Sequence, residues 1–597
     1  MPHLLPTVIA LAEQAGRMLA AEFTRPEGPR RRTGHAPVNG EIEAFLGSAL
    51  LALLPAPWRS ATTGLTQGLK PGLEGDPCWL AAPLDGGAAI SIALLRGGVP
   101  VLGVVHAPLP PDRGPDTIAW AEGMDHILRG GTRLTHRLAS ARLAPGGIVL
   151  LSQAAAEWPL AHGRVVEPAR FVAMPSIAYR LARVAAGDAL AAISFNAPCG
   201  PDYAAGHALL RGAGGVLLDE AARPITYTTC GESQARHCFG GAAPAARELS
   251  RRDWAGRNDG QHIPRRTTPA LPRRLPDQAQ DRALGCLLGQ VAGDSLGSLV
   301  EFKSPAEIAR RYPQGLRDLA DGGTWSTLAG QPTDDSELAL DLARTLATRT
   351  EWSAEAVAAA YAGWYRSRPF DIGSTTSQAL SAAAGGPEGR VAAAARRAAN
   401  TYSKANGALM RCAPIGLWAR DPVEAAEAAR EDAQLTHPNP MCQGASAAFV
   451  AAIATAIGGG EAAAMLAAAE AEIQQAGPEE LRHALELARQ GVAPGCFMQQ
   501  QGFVLIAFQN AFRHLALGTA LEDAVIETVA QGGDTDTNAA ICGALLGAAQ
   551  GSAAIPVRWR MAIQACRPIE ELGALQPRPA RYWPVDLPAL AAALVGR

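Results

Sequence analysis

The pattern of apolar and polar positions changes along the chain, from mixed helix and strand signals to helical signals alone. In the first part, residues 90–95 and 99–105 are typical of a hairpin that turns at Gly97 and Gly98. Residues 177–192 have the three-to-four spacing of an amphipathic helix, and residues 206–217 run from helix into strand. This alternation predicts a layered α/β or α+β domain.

In the second part of the chain almost every segment has helical period, and strand signals are scarce. Within residues 284–300, Gly285, Gly289, Gly293 and Gly297 fall once per turn on one face. Because each glycine costs about 1 kcal/mol in a helix, this stripe indicates the close approach of a second helix or of a ligand. We predict that this domain is all-α.

A segment rich in proline and arginine separates the two patterns. It contains three arginine pairs and four prolines, which is the composition of an exposed linker, although the arginines could also contact phosphate. The chain has 597 residues, more than the usual limit of about 250–300 for a single core. We therefore predict a multidomain protein, with domains at 1–247 and 281–597 and a linker at 248–280.

Composition narrows the functional classes. The formal net charge of −3 excludes a general basic field, so we expect no general nucleic-acid binding. Ten cysteines without a CxxC pair suit a reducing cytosol. The Ala-rich run at 447–468 is broken by three glycines, which argues against a membrane span, and no leader pattern is present. We expect a soluble cytoplasmic protein, with its oligomeric state left open.

Two acidic clusters in the second part are the candidates for chemistry. Each opens a run with helical period, and their members are Thr333, Asp334 and Asp335 in one and Asp534, Asp536 and Thr537 in the other. Four carboxylates with hydroxyls beside them would form an oxygen-rich site suited to a hard divalent ion such as Mg²⁺ or Mn²⁺. Taken singly, each cluster would be interpreted first as an ordinary helix N-cap, worth about 1 kcal/mol.

Further motifs accompany the clusters in a fixed order. They are a GDSLGSLVE run ending at Glu301, the DIGSTT run at 371–376, the SKANGALMR run at 403–411 and Thr-His-Pro at 436–438. Together they resemble the ADP-ribosylglycohydrolase family, dinitrogenase-reductase-activating glycohydrolase type. The resemblance covers residues 281–551 and implies a compact all-α fold with two Mg²⁺ or Mn²⁺ ions in a cleft.

The same resemblance implies roles for individual residues. Both acidic clusters would supply the metal ligands, and Glu301 would help to position the ribose or a metal. Asp371 would belong to the loop associated with arginine-linked substrates. Either acid could move the proton during hydrolysis, and this choice stays open. The ADP-ribose pocket would be lined by Ser403, Asn406, Gly407 and His437. Without the resemblance, these residues would be assigned to turns, caps and exposed helix ends.

The N-terminal part resembles the inositol monophosphatase superfamily, which includes bisphosphate nucleotidases. The resemblance rests on the WLAAPLDGG run at 79–87 and the PDYAAG run at 201–206. That family binds Mg²⁺ through several acids, but Ala82 and Asn39 stand where it has aspartates, and residues 60–68 contain no acid. Only Asp85 and Asp202 remain, too few to hold several ions. We predict a catalytically degenerate domain, a pseudophosphatase.

These features favour a metal-dependent hydrolase that cleaves the N-glycosidic bond of an ADP-ribosylated protein or small molecule. The expected linkage is ADP-ribosylarginine on a protein, and the expected product is ADP-ribose. One alternative is a bifunctional protein whose N-terminal domain keeps phosphatase activity on a nucleotide or inositol phosphate. Another is a non-catalytic binding or immunity protein directed against an ADP-ribosylating factor.

Overall fold

The computed structural model describes residues 1–25, 30, 37–60, 64–65, 76–85, 89–195, 199–229, 231–264 and 278–595. The chain divides into two compact units, Met1–Pro276 and Asp277–Arg597. Of the predicted linker at 248–280, residues 265–277 lie outside the described residues. Before them, Leu249 and Trp254 are buried in a core cluster of the first unit.

The first unit combines thirteen described strands with six described α-helices. Its strands are β1 (Trp58–Ser60), β2 (Gly64–Leu65), β3 (Cys78–Asp85), β4 (Ala89–Arg96), β5 (Val99–Ala107), β6 (Asp116–Ala121), β7 (Ile127–Arg129), β8 (Thr132–Leu134), β9 (Ile148–Leu151), β10 (Arg170–Ala173), β11 (Ala191–Ser194), β12 (Val216–Leu218) and β13 (Cys238–Gly241). Its helices are α1 (Leu5–Phe23), α2 (Pro37–Leu53), α3 (Pro159–Val166), α4 (Ile177–Ala185), α5 (Gly200–Gly212) and α6 (Ala243–Ser250).

These elements form alternating layers. An eight-stranded sheet has the order β2-β1-β3-β4-β5-β6-β7-β8, and a five-stranded sheet has the order β10-β9-β11-β13-β12. Helices α1 and α2 cover the outer face of the first sheet, and α3 and α6 cover the outer face of the second. Helices α4 and α5 lie between the sheets, where a Cβ added at Gly206 would press on Leu181. The predicted layered α/β domain is confirmed.

Local predictions in this unit are confirmed with one correction. The hairpin is β4–β5, closed by the pair Arg96 and Val99, and residues 206–217 do pass from α5 into β12. The predicted helix at 177–192 is too long, because α4 ends at Ala185 and β11 begins at Ala191. The chain turns at Gly187, whose φ of +91° is outside the helical region.

The second unit is helical. Its α-helices are α7 (Gln278–Gly297), α8 (Pro305–Arg311), α9 (Asp334–Leu346), α10 (Ala354–Arg366), α11 (Ser374–Ala384), α12 (Val391–Ala398), α13 (Ala413–Trp418), α14 (Pro422–Gln434), α15 (Pro440–Ile457), α16 (Ala462–Ala476), α17 (Glu479–Arg489), α18 (Val504–Leu517), α19 (Leu521–Ala530), α20 (Thr535–Gln550), α21 (Val557–Ala565) and α22 (Leu587–Val595). Among its described residues only isolated bridges interrupt the helices. The predicted all-α domain is confirmed.

The glycine stripe of α7 faces helix α20. A Cβ added at Gly285 or Gly289 would overlap the carbonyl oxygen of Gly547 or Gly543, respectively. A Cβ at Gly297 would overlap the backbone at Asp536, inside the second acidic cluster. The two backbones therefore touch along the length of both helices. Of the two predicted neighbours, a second helix or a ligand, the structure shows the helix.

Helix α15 is the one described helix that is long and apolar enough to span a membrane by composition alone. Its mean hydropathy is 1.4, and 78% of this window is buried inside the protein. Met441, Cys442 and Phe449 pack in the main core cluster of the unit. The helix ends at Ile457, before the glycines that break the predicted Ala-rich run.

The contact between α7 and α20 predicts that one added methyl group lowers the stability of the protein. Gly289→Ala should lower the free energy of unfolding by about 1–3 kcal/mol, because the new Cβ has no room to pack. The matched change Gly363→Ala, in α10 with no atom within 4 Å of the new Cβ, should be neutral or stabilising by up to about 1 kcal/mol. Urea denaturation followed by circular dichroism measures both. Equal midpoints for Gly289→Ala and the wild type would contradict the proposed tight contact.

Candidate active site

The fold brings the two acidic clusters together. Thr333 stands directly before α9, which begins at Asp334, and Asp534 stands directly before α20. Across the gap between these helix ends, Thr537 Oγ1 donates a hydrogen bond to Asp335 Oδ2 at 3.3 Å. The clusters are about two hundred residues apart in sequence, yet they share one buried volume.

Helix capping by the clusters themselves does not explain them. Neither Thr333 nor Asp534 caps its own helix with its side chain. Instead Asp294, a fully buried residue of α7, accepts hydrogen bonds from the backbone N–H groups of Thr333 and Ser336, both at 3.1 Å. Sequence reasoning missed Asp294; its signal was a lone acid inside an apolar, glycine-striped helix.

Two further acids, Glu301 and Asp371, meet Asp536 of the second cluster beside these helix ends. Carboxylate oxygens of Glu301, Asp371 and Asp536 all lie within 4.8 Å of one another. Glu301 is oriented by Trp325, whose Nε1–H donates to Glu301 Oε2 at 2.6 Å. The next residue, Phe302, has a left-handed φ of +63° and donates its N–H to the Gly533 carbonyl at 2.8 Å. This backbone pairing fixes Glu301 next to the second cluster.

The remaining two acids are tied to the predicted substrate motifs. Asp334 Oδ2 accepts the backbone N–H of Gly373, in the loop that carries Asp371, at 3.3 Å. Asp534 Oδ2 accepts Asn406 Nδ2 at 2.8 Å. The structure thus connects each acidic cluster to one of the other motifs predicted from the sequence.

The other predicted substrate residues gather around the start of α11. Ser403 Oγ lies 2.9 Å from Thr375 Oγ1. A Cβ added at Gly407 would lie only 2.8 Å from His437 Cε1 and 3.0 Å from Thr376 Oγ1, which explains the glycine. His437 is buried, with Nδ1 at 2.8 Å from Thr436 Oγ1, and burial lowers its pKa to about 3. His437 is therefore a neutral ring packed behind Gly407.

Burial and mutual repulsion dominate the electrostatics of the centre. Burial raises the pKa of Glu301 to about 8, and the charges of Asp371 and Asp534 add to the shift. The pKa of Asp371 rises to about 7 for the same reasons, with Asp294 and Asp534 as the charged neighbours. Burial raises the pKa of Asp294 to about 6. It also raises the pKa values of four other acids, Asp334, Asp335, Asp534 and Asp536.

This donor set fits hard cations. In the described part of the chain, none of the seven carboxylates forms an ion pair with a lysine or an arginine. Asp335 Oδ1 is buried and has no hydrogen-bond partner within the described protein. A buried anionic oxygen without a partner is costly, and several of them together need a positive charge. Carboxylate and hydroxyl oxygens are the ligands preferred by Mg²⁺ and Mn²⁺.

Family models match both halves of the chain. Residues 275–583, just over half of the chain, match the model of the ADP-ribosylglycohydrolase family. The chain belongs to this family. Residues 62–249 match the model of the inositol monophosphatase family, so the chain joins domains of two families. Both resemblances found in the sequence are confirmed.

Curated relatives of this chain include named hydrolases. The ADP-ribosyl-[dinitrogen reductase] glycohydrolase of Rhodospirillum rubrum is 31% identical over 47% of this chain and 89% of its own length. The ADP-ribosylarginine hydrolase Tri1 of Pseudomonas putida (strain GB-1) is 27% identical over 48% of this chain and 74% of its own length. The C-terminal unit is therefore an enzyme of the ADP-ribosyl hydrolase class.

Solved structures resemble each half separately. An ADP-ribosylglycohydrolase-related protein complex is 28% identical, with a TM-score of 0.43, and covers 53% of this chain and 98% of that chain. A Thermotoga maritima IMPase is 19% identical, with a TM-score of 0.33, and covers 42% of this chain and 96% of that chain.

The prediction of a degenerate N-terminal site rests on Asp85, Asp202, Ala82 and Asn39. Asp85 ends β3, and its side chain lies outside the described residues. Asp202 is engaged at the start of α5, where its Oδ2 accepts the backbone N–H of Cys199 at 2.8 Å. Ala82 is buried in β3, and Asn39 is buried in α2. The structure brings no further acid to Asp202 among the contacts of the described residues.

The repulsion among the acids predicts opposite effects of one substitution on the metal-free and metal-bound protein. Asp335→Asn should raise the melting temperature in EDTA at neutral pH, because it removes a buried acid whose raised pKa opposes folding there. The same change should reduce the rise in melting temperature on adding Mn²⁺, because a ligand is lost. Differential scanning calorimetry measures both, with the exposed Glu388→Gln as a control. A lower melting temperature in EDTA would contradict the assignment of net repulsion.

Proposed function

We propose that this protein hydrolyses the N-glycosidic bond of ADP-ribosylarginine on proteins and releases ADP-ribose. The observation that carries the proposal is the convergence of seven carboxylates from five chain segments without a basic partner among the described residues. Such a centre suits two divalent ions, Mg²⁺ or Mn²⁺, held by the two acidic clusters. Ions bound there would lower the pKa of a water molecule and would help to orient the sugar hydroxyls.

The linkage to arginine has separate support. Asp371 lies within the DIGSTT run, and its carboxylate is close to Glu301 and Asp536. A departing guanidine is basic and must receive a proton, which an acid beside the scissile bond can deliver. Curated relatives are named for ADP-ribosylarginine and for dinitrogen reductase, so a modified protein is the expected substrate.

The proposed hydrolysis needs proton transfer and correct positioning, and different residues of the centre supply each. A water oxygen bonds to the anomeric carbon of the ribose, the carbon–nitrogen bond breaks, and a proton ends on the guanidine nitrogen. Glu301 and Asp371 are the two candidates for carrying that proton. Asn406, which donates to Asp534, keeps the loop of the substrate motifs against the second cluster.

For the N-terminal domain we propose a role without phosphate hydrolysis. The support is the small number of acids, since Asp202 serves as a capping residue and Ala82 and Asn39 replace aspartates of the family pattern. Two carboxylates cannot bind several Mg²⁺ ions tightly and also orient a water. We further propose a cytoplasmic location, which is consistent with nine free cysteines among the described residues.

The proposed hydrolase predicts complete dependence on the second cluster. With Mg²⁺ or Mn²⁺, the wild type should release ADP-ribose from an arginine-ADP-ribosylated protein, and EDTA should abolish the release. The double variant Asp534→Ala/Asp536→Ala should lose at least about 100-fold in kcat/KM, because both acids face the reacting centre. Release can be followed by liquid chromatography, with Glu388→Gln as the control. A wild type that releases no ADP-ribose with Mg²⁺ and none with Mn²⁺ would overturn the proposal.

The proposed role of the N-terminal domain predicts that the protein has no phosphatase activity. Phosphate release from a 3′-phosphorylated nucleotide or an inositol monophosphate should stay at background in the presence of Mg²⁺. The variant Asp85→Ala should leave ADP-ribose release within about twofold of the wild type, because that acid belongs to the other domain. Phosphate release that disappears in Asp85→Ala would favour the bifunctional alternative instead.

A further inference from the structure

A small closed loop holds one tryptophan against the acidic centre. Residues 322 and 327 exchange backbone hydrogen bonds, Gly322 N to Thr327 O at 2.8 Å and Thr327 N to Gly322 O at 3.0 Å. Inside this ring, Gly323 and Ser326 both have left-handed φ values, +79° and +58°. A serine in that region is strained, and such strain persists only where the surroundings enforce it. The loop is therefore rigid at the position of Trp325.

Side chains around the loop fix the indole further. Thr324 Oγ1 donates to the Glu301 carbonyl at 3.0 Å, and Trp325 Nε1 donates to the Glu301 carboxylate at 2.6 Å. Gln576 Nε2 donates to the Trp325 carbonyl at 3.0 Å, and Gln331 Nε2 donates to the Gln576 carbonyl at 2.7 Å. Sequence reasoning assigned no role to any residue of this loop.

A second aromatic ring faces the first. The ring centroids of Trp325 and Phe370 lie 6.2 Å apart, with an angle of 53° between the ring planes. Phe370 directly precedes Asp371, and its segment is anchored by Arg578, which donates to the carbonyls of Ser367 and Arg368 at 3.0 and 3.3 Å. Arg368 also has a left-handed φ, +55°. Both rings are half-buried, so each is fixed and still has exposed surface.

Each of the two rings lies beside one of two neighbouring acids. Trp325 is bonded to Glu301, Phe370 adjoins Asp371, and oxygens of the two acids lie within 4.8 Å of each other. A planar guanidinium is weakly hydrated, stacks on aromatic faces and pairs with carboxylates. A hydroxyl leaving group, such as that of serine, has neither a positive charge to pair with the carboxylates nor a flat face to stack on the two rings.

We propose that Trp325 and Phe370 form the aromatic wall of the leaving-group subsite and select arginine-linked over hydroxyl-linked ADP-ribose. This inference rests on the proposed function and goes beyond it, because it assigns the specificity to two side chains outside the metal ligands. The wall contacts the guanidinium and not the ADP-ribose. Affinity for the product ADP-ribose, which lacks the guanidinium, is then independent of both rings.

The test compares substrate and product binding in three variants of the full chain. Phe370→Leu and Trp325→Leu remove a ring, whereas Trp325→Phe keeps a ring and removes only the N–H bonded to Glu301. Trp352→Phe is the matched control, because Trp352 also donates Nε1–H to a glutamate, Glu431, but at a different place in the unit. Kinetics on ADP-ribosylarginine give kcat and KM, and calorimetry with Mn²⁺ present gives the Kd of ADP-ribose.

Each leucine variant should raise the KM for ADP-ribosylarginine by about 5- to 20-fold, the size expected for losing a partly desolvated cation–π contact. The Kd of ADP-ribose should change less than about twofold, because the product does not touch the wall. Trp325→Phe should keep a KM within about threefold of the wild type, because the ring remains. Trp352→Phe should match the wild type in both quantities.

Two results would overturn the inference while leaving the proposed function standing. One is an active wild type with an unchanged KM in both leucine variants, which makes the rings structural. The other is an equal loss of ADP-ribose affinity, which places the rings against the ADP-ribose. A wild type that does not cleave ADP-ribosylarginine at all would instead overturn the proposed function, and the inference with it.

Discussion

The backbone contact between α7 and α20 is the constraint on which the catalytic unit depends. Glycines at 285, 289, 293 and 297 let the two helices touch, and the contact ends at Asp536, the start of the second acidic cluster. A side chain at any of these positions would hold the helices apart by the thickness of a methyl group or more. Because α7 also carries Asp294, this one contact sets the distance between both clusters.

The acids of the centre are held by the fold at an energetic cost. Asp294 accepts the N–H groups at the start of α9. Asp335 keeps one buried oxygen to which no described group donates a hydrogen bond. Helix N-termini favour carboxylates through their partial positive charge, but only by about 0.3–2 kcal/mol each. That stabilisation is too small to offset the burial and mutual repulsion of seven neighbouring carboxylates. The site therefore favours cations as ligands.

Local features were predictable from the sequence, and contacts between distant segments were not. Helices after Thr333 and Asp534 follow from short-range patterns, and so does the β4–β5 hairpin. The glycine stripe predicted a neighbour but could not identify α20, because helix pairing across two hundred residues has no local signal. Trp325 was missed for the same reason, since its partner Glu301 is in another loop. The roles assigned to individual site residues stay predictions.

Buried ion pairs stabilise the fold of the N-terminal domain. Between its two sheets Asp116 accepts Arg129 at 2.6 Å and the hydroxyl of Tyr179 at 2.7 Å, and Asp188 accepts Arg183 at 2.6 Å. Removing one member of a buried ion pair leaves an uncompensated charge and costs about 3–5 kcal/mol, so these residues are constrained by folding. Ala82 and Asn39 carry no such constraint. The layered architecture is therefore stabilised by buried ion pairs that involve neither Ala82 nor Asn39.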